Sequence, residues 1–371
     1  DFDKERGIIE CEPGLLLSDL LEIIIPAGFF LPVTPGTKFI TLGGAVASNV
    51  HGKNHHLEGS ISKHVLSLSV MVEKKGVVEC GPDINTELFD TTCGGMGLTG
   101  MIVSVKLKLK PISSTLIDYK GIKARNLEEI FKLFQENKQY TYSVAWIDCY
   151  QTGKNLGRSI LMLGEHAEKK NKMEANSKSL LTIPFYFPSF ALNKLSIKVF
   201  NFLYYHKQLG KKVEKQVGYE GFFYPLDSIN GWNKMYGKKG FLQYQFVLPL
   251  ETSYDGLKEI LAKISRSKYG SFLAVLKLFG KEDNRISFPM EGYTLALDFP
   301  IKKGLFHFLD ELDIIVAKYK GRIYLSKDAR MSEEIFRETY EHAGEFKSKV
   351  NEFNPYNRFQ SLLSKRLKIT K

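Results

Sequence analysis

Residues 35–56 read PGTKFITLGGAVASNVHGKNHH, and this stretch decides the fold. Gly36, Gly43, Gly44, Ala45 and Ala47 leave its main chain almost without side-chain cover. Backbone N–H groups in such a run can approach phosphate oxygens or an aromatic ring system directly. The spacing is neither that of a P-loop nor G-x-G-x-x-G, and no helix of the kind those motifs need is expected to follow, which argues against a nicotinamide site here. His51, His55 and His56 crowd the end of the run and His64 follows. A metal site is the first alternative, but there is no H-E-x-x-H and no carboxylate between the first three histidines. The remaining reading makes His51 a polar group beside a redox ring, with its neighbours satisfied structurally.

A second glycine cluster, CGGMGLTG (93–100), leads into Ile102 to Lys110, where Val103, Val105, Leu107 and Leu109 alternate with Ser104, Lys106, Lys108 and Lys110. That alternation predicts a half-buried strand. The glycines suit a tight turn near a ligand or an ordinary hairpin corner. Upstream, residues 13–25 read as a buried helix stopped by Pro26. Val65 to Glu73 and Val77 to Cys80 read as a hairpin turning at Lys74-Lys75-Gly76. Pro111 ends the strand, and a domain boundary is expected near residue 114. Beyond it, 140–150, 241–250, 272–279 and 293–301 read as strands. Residues 254–264 and 305–319 read as helices, the latter stopped by Gly321. Residues 166–178 are polar and read as a mobile loop. Residues 225–240 carry Trp232 and Tyr236 in a Gly, Asn and Lys-rich loop, suited to a lid or to a surface loop with two anchors.

The 371 residues, 43% hydrophobic and 25% charged, suffice for two domains or one large α+β domain. A net charge of +11 fits nucleic acid, anionic lipid or a phosphorylated substrate and chooses none. Cys11, Cys80, Cys93 and Cys149 lack C-x-x-C spacing and read as free thiols in a reducing compartment. No run reaches the roughly 20 apolar residues of a membrane span.

The runs 35–56 and 94–102 look like the flavin-binding domain of the vanillyl-alcohol-oxidase type. More narrowly, the chain resembles the decaprenylphosphoryl-β-D-ribose 2′-oxidase family, which carries T-x-G-G-A-x-A-x-x-x-H-G-K-N-H-H. YTYSVAWID (140–148), YPLDSINGWNKMYG (224–237), GFLQYQFVLP (240–249), SFLAVLKLFG (271–280), ISFPMEGYTLALDFPIKKGL (286–305) and GRIYLSKDAR (321–330) extend the resemblance over nearly the whole chain. It implies an α+β, two-domain flavoprotein: an FAD-binding part at 1–114 and 322–371, and an antiparallel-sheet substrate domain at 115–321. It also implies a further flavin-binding lobe before Asp1, so residues 1–371 alone are expected to bind FAD poorly.

By that resemblance, flavin contacts fall on Gly36, Thr41, Leu42, Gly43, Gly44, Ser48, Asn49, Val50, His51, Ile102 and Tyr324. Lys327 matches a lysine near the flavin, where a cation stabilises charge accumulating on the ring; a solvated surface lysine is the plain alternative. Substrate contacts fall on Lys53, Trp146, Phe223, Gln243, Gln245, Lys277, Thr294 and Ala296. Gln243 and Gln245 share one strand face, suited to sugar hydroxyls or simply to solvent. Lys277, inside an apolar run, wants a partner, either a substrate phosphate or an internal carboxylate. Many members have Cys, Asn and Tyr at the positions of Ala296, Thr294 and Phe223, so covalent nitroaromatic inhibition is expected to fail and the sugar or lipid carrier to differ. Residues 180–206, rich in Phe, Tyr and Leu with Lys194 and Lys198, suit a bilayer or polyprenyl chain, or a loop packed on the domain.

The implied activity is FAD-dependent oxidation of the 2′-hydroxyl of a polyprenyl-phosphoryl ribofuranose, the first half of an epimerisation to arabinose for cell-wall arabinan. His51 and Lys327 are the candidate catalytic groups, the choice of base left open, and a short-chain dehydrogenase/reductase is the implied partner. The expected location is cytoplasmic or peripheral on the membrane. An FAD-dependent oxidase of a soluble sugar, lactone or alditol is one alternative. A non-catalytic basic protein that binds nucleic acid is the other, and the intact motifs around His51, Lys277 and Lys327 speak against it.

Overall fold

The computed structural model describes residues 1–168, 173–175, 181–188, 191–282 and 286–371. Most of the polar stretch 166–178 lies outside them. Two antiparallel sheets organise the chain. The first has five strands in the order Phe2–Asp3, Ile8–Cys11, Met101–Lys108, Val65–Val72, Gly76–Cys80. The hairpin expected at Lys74 to Gly76 is present, with both residues at positive φ. The strand Met101–Lys108 departs from simple alternation. Its partner Ser69 faces Ser104, but Val70 faces Ile102, so Val103 is bulged out of the ladder. The bulge resets the period; Ile102, Val105 and Leu107 are buried, while Val103 is exposed.

The second sheet has eight strands, in the order Lys212–Gly218, Leu116–Ala124, Ser159–His166, Tyr142–Ile147, Ala274–Phe279, Gly292–Pro300, Phe241–Pro249, Arg322–Ile323. One face is covered by helices. Ser253–Arg266 buries Leu257, Ile260, Leu261 and Ile264, and Leu305–Lys318 buries Leu305, Phe308, Leu309 and Leu312, all in one core with Phe246, Leu276, Leu295 and Leu297. Each such side chain contributes about 1.5–3 kcal/mol on burial, so this face fixes the register. The opposite face is covered only in part, by Tyr204 of the helix Lys194–His206 against Trp146 and by Phe222 of the short helix Tyr219–Phe223 beside Gly164. Directly opposed residues share a face, and the register Gln245, Ala296, Val275, Trp146, Ile160 runs across five strands of it.

Helix Leu305–Lys318 ends otherwise than expected. Lys320, at φ 57°, takes the left-handed position. Gly321 is required instead by closeness, because a Cβ there would stand 2.4 Å from the Val247 carbonyl oxygen. The C-terminal helices bridge the two layers. Phe336, Tyr340, Phe346 and Val350 join the core behind the eight-stranded sheet, and Phe353 joins the core of the five-stranded one. The 225–240 loop holds a short strand, Ile229–Asn230, and a 3₁₀ turn, Trp232–Tyr236, with Tyr236 buried. Among the described residues no helix is long and apolar enough to cross a membrane.

Candidate active site

A cavity of about 1510 Å³ lies between the glycine run and the face of the eight-stranded sheet opposite its two long helices. One wall is Gly36, Thr41, Gly44, Ser48, Val50, His51 and Lys53; the other includes Gln243, Gln245, Lys277, Ala296 and Trp146, with Tyr324 and Lys327 closing the end. The run does contain a helix, Leu42–Ala47, contrary to expectation, but it has six residues only. Thr41 starts it, its hydroxyl accepting the Gly44 N–H at 3.2 Å. A Cβ on Gly36 would meet nothing within 4 Å, so this main chain borders open space. The Tyr324 hydroxyl donates to the Ser48 carbonyl at 3.2 Å, tying the returning C-terminal segment to that wall. The volume exceeds the roughly 300–1,000 Å³ of a single-ligand pocket and leaves room for a ring system and a substrate together.

The hydrogen bonds settle the state of His51. Thr294 Oγ1 donates to the Phe246 carbonyl at 2.8 Å, so it must accept from Gln245, whose side-chain Nε2 lies at 3.1 Å. The same amide nitrogen donates its other hydrogen to His51 Nε2 at 3.0 Å. His51 therefore carries its proton on Nδ1, and among the described residues that buried Nδ1 has no partner. Burial, then Lys277, His55 and Lys327, hold the ring well below the usual histidine range. His51 is thus a neutral donor, a poor base, packed among Phe279, Phe288 and Tyr324 at 4.7, 5.6 and 5.2 Å between ring centres. His55, His56 and His64 have structural partners: His55 faces Glu282 at 3.5 Å, and His56 and His64 meet the carbonyls of Tyr140 and Glu58.

Five lysines line the cavity, Lys53, Lys207, Lys215, Lys277 and Lys327, and Lys53, Lys277 and Lys327 act on one another. Burial, then the neighbouring Lys277, lowers Lys53 to about 7; burial, then Lys327, lowers Lys277 to about 8. Among the described residues no carboxylate comes within 4.0 Å of Lys53, Lys277 or Lys327. Lys53 donates instead to the Phe223 carbonyl at 3.0 Å. The internal ion pair considered for Lys277 is therefore not formed among the described residues. Crowded cations with no carboxylate in contact select an anionic ligand.

Lys327 stands at the cavity edge on the turn Leu325–Lys327 and is held by its neighbours. Arg330 grips Asp313 with two bonds of 2.7 Å, and Asp313 also accepts the Tyr244 hydroxyl at 2.8 Å. Asp328 pairs with Arg366. Burial lowers Lys327, and the nearby Asp298 opposes that shift. Sequence reading missed Asp298. It is fully buried, accepts from the Gln243 amide at 2.7 Å and from the Tyr236 hydroxyl at 3.3 Å, and burial raises it to about 6. Its setting in LALDFP, a charge in an apolar strand, is the same signal that singled out Lys277. Asp298→Asn removes the one negative neighbour of Lys327 that supports its charge. The rising, acid-side limb of the pH profile for substrate oxidation, where Lys327 loses its proton, is expected to move to lower pH; an unmoved limb would detach the two groups.

Of the residues singled out in the sequence, Leu42, Gly43, Asn49, Ile102 and Thr294 do not face the cavity. Leu42 and Ile102 belong to the core. A Cβ on Gly43 would meet Pro13 Cβ at 2.5 Å. Asn49 donates to Ser287 Oγ at 2.5 Å, and Thr294 acts through Gln245. Gln243 lines the cavity, but its amide is engaged by Asp298. Trp146 packs against Tyr204 at 4.7 Å and donates to the Phe272 carbonyl. Phe223, buried and lodged against Tyr142, contributes a ring to the wall.

The bare wall at Gly36 and Gly44, the orphaned His51 donor and the lysines fit an electron-accepting ring that gains negative charge on reduction. The FAD-binding domain family matches residues 1–81. The chain is an FAD-dependent oxidoreductase of the vanillyl-alcohol-oxidase type. It is 35% identical to a decaprenylphosphoryl-β-D-ribose oxidase of Mycolicibacterium smegmatis, over 99% of this chain and 82% of that protein. An uncharacterised protein of Streptomyces coelicolor is 27% identical over 95% of this chain and all of its own length. An L-gulonolactone oxidase of Scyliorhinus torazame is 30% identical over only 29% of this chain and 24% of its own. The chain belongs to the decaprenylphosphoryl-β-D-ribose oxidase family.

Proposed function

We propose that the protein oxidises the 2′-hydroxyl of a polyprenyl-phosphoryl ribofuranose to the 2′-ketone. In this reading 1–114 with 322–371 hold FAD, 115–321 hold the substrate, and a short-chain dehydrogenase/reductase consumes the ketone. The observation that carries it is the polarity gradient across the cavity. His51, Gln245, Lys277 and Lys327 gather at one end, and Val144, Trp146, Ile160, Met162, Val213 and Val217 give the sheet beyond them a largely apolar surface, with Lys207 and Lys215 among its lining. At about 4.8 Å per strand, the seven strands from Phe241–Pro249 to Lys212–Gly218 span on the order of 30 Å. A sugar, a phosphate and an isoprenoid tail match that sequence of surfaces, and the named activity of the Mycolicibacterium relative supports it.

When bound, FAD supplies the acceptor for hydride leaving the sugar carbon. Gly36, Thr41, Gly44, Ser48, Val50 and His51 would hold it from one side, and Tyr324 from the other. Lys327, with a lowered proton affinity, is the group suited to receive the hydroxyl proton, because His51 Nε2 is occupied by Gln245. His51 Nδ1–H donates. Lys53 and Lys277 hold the phosphate. The Val144 to Val217 surface excludes water from the lipid.

Anaerobic mixing of the flavoprotein with detergent-dispersed polyprenyl-phosphoryl ribose should bleach the flavin absorbance, while free ribose at equal concentration should not. Equal bleaching by free sugars would transfer the protein to the soluble sugar oxidases. The lysines add a pH dependence. An anion binds the protonated forms, so KM is expected to be flat below pH 7 and to rise as pH passes through about 7 and 8, the values of free Lys53 and Lys277.

A further inference from the structure

The helix Lys194–His206 carries two apolar stripes. Ile197, Asn201 and Tyr204 face inward: Ile197 is in the core, the Asn201 amide donates to Asp148 at 2.7 Å, and Tyr204 meets Trp146. The other stripe faces water. Leu195, Val199, Phe202 and Leu203, at spacing i, i+4, i+7, i+8, are 71%, 51%, 54% and 61% exposed. A globular helix normally presents charge there. Lysines flank the stripe: Lys194 and Lys198 lie within the helix and Lys207 follows it, while Lys211 and Lys212 beyond are paired with Glu129 and Glu214. Lys198 and Lys207 meet no carboxylate among the described residues. The helix is held at its start by Lys194, which donates to the carbonyls of Ser265 and Ser267 at 3.1 and 3.2 Å. Its far end opens on the active-site cavity, whose lining includes Tyr204, Lys207 and Leu209, the last 96% exposed.

We propose that Lys194–His206 is an interfacial helix that seats the protein on an anionic bilayer with the cavity mouth against the headgroups. The apolar stripe enters the headgroup boundary, and Lys198 and Lys207 pair with anionic lipid. A lipid-linked substrate then slides its tail from the bilayer along the apolar part of the sheet without crossing water. This delivery step rests on the lipid-linked substrate proposed above; the seating does not.

The test is co-sedimentation of the flavoprotein with phosphatidylcholine–phosphatidylglycerol vesicles and with phosphatidylcholine alone. Binding to the anionic vesicles is expected, weakened by salt. The Leu195→Ser, Leu203→Ser double variant should bind about tenfold more weakly, and Lys198→Glu should weaken binding to anionic vesicles only. All three positions are on the solvent face, so an unchanged circular dichroism spectrum and unchanged bleaching by detergent-dispersed substrate should accompany the loss. Wild-type protein left in the supernatant, or variants that bind as wild type, would overturn the seating. So would a concentration-dependent dimer that the double variant abolishes, which would assign the stripe to a second copy. Vesicle binding is read without substrate. Its failure leaves the proposed oxidation standing, and failure of detergent-phase oxidation leaves the vesicle result standing.

Discussion

Lys277→Met is expected to raise the unfolding temperature of the substrate-free flavoprotein by a few degrees and to weaken the phosphorylated substrate by about 10²–10³-fold. Both effects come from one charge. Lys277 enters the folded state with its value lowered from 10.5 to about 8. Because the folded value is depressed, the unfolded chain binds the proton more tightly, and the native state bears the full penalty below pH 8. The shift corresponds to about 3 kcal/mol at 1.36 kcal/mol per unit, and water in the open cavity reduces this to about 1–2 kcal/mol. Methionine keeps the length and removes the charge. The gain should be largest at or below pH 8 and vanish towards pH 10.5, where the lysine is neutral in both states. Calorimetry at pH 7 and pH 10 reads this sign directly. The substrate side follows from removing one partner of an enclosed ion pair, which costs about 3–5 kcal/mol. A variant that is less stable at pH 7, or that keeps its KM, would show that Lys277 has an internal partner and no phosphate role.

The same lysine shows what the sequence made legible. A charge inside LAVLKLFG announces itself because burial without a partner is costly, and the register of Ala274–Phe279 places it on the cavity face. Asp298 in LALDFP gave the identical signal and was overlooked because it matched no expected flavin or substrate contact. The glycine run told correctly that main chain lies bare at Gly36 and Gly44. It could not tell that Gly43 is small for a different reason, contact with Pro13, since composition does not reveal which side of a turn a glycine faces. The bulge at Val103 was likewise invisible: period-two alternation is unbroken in the sequence, and only pairing with Ser69 and Val70 expels the residue. The tautomer of His51 depended on Gln245, Thr294 and the Phe246 carbonyl, a chain of contacts up to 243 residues away along the sequence. Local pattern carries elements and their faces; protonation and pairing are properties of the assembled site.

Lys327→Met is expected to slow bleaching of the flavin by substrate about 10²–10³-fold, with FAD retained. Removing a single preorganised charged group from a reacting centre typically costs that much. Here two roles coincide, stabilising negative charge and receiving a proton. FAD retention is expected because the wall around Gly36 to His51 and the Tyr324 tether to Ser48 do not involve the lysine side chain. The fold should also survive, since the turn is held by Arg330 with Asp313 and by Asp328 with Arg366, not by Lys327. His51→Ala, which removes a neutral donor and no base, should cost less and leave the pH dependence of bleaching in place, whereas Lys327→Met should flatten its rising, acid-side limb. If the two variants exchange these profiles, the proton goes to His51, and the assignment of Gln245 as donor to its Nε2 must be reversed.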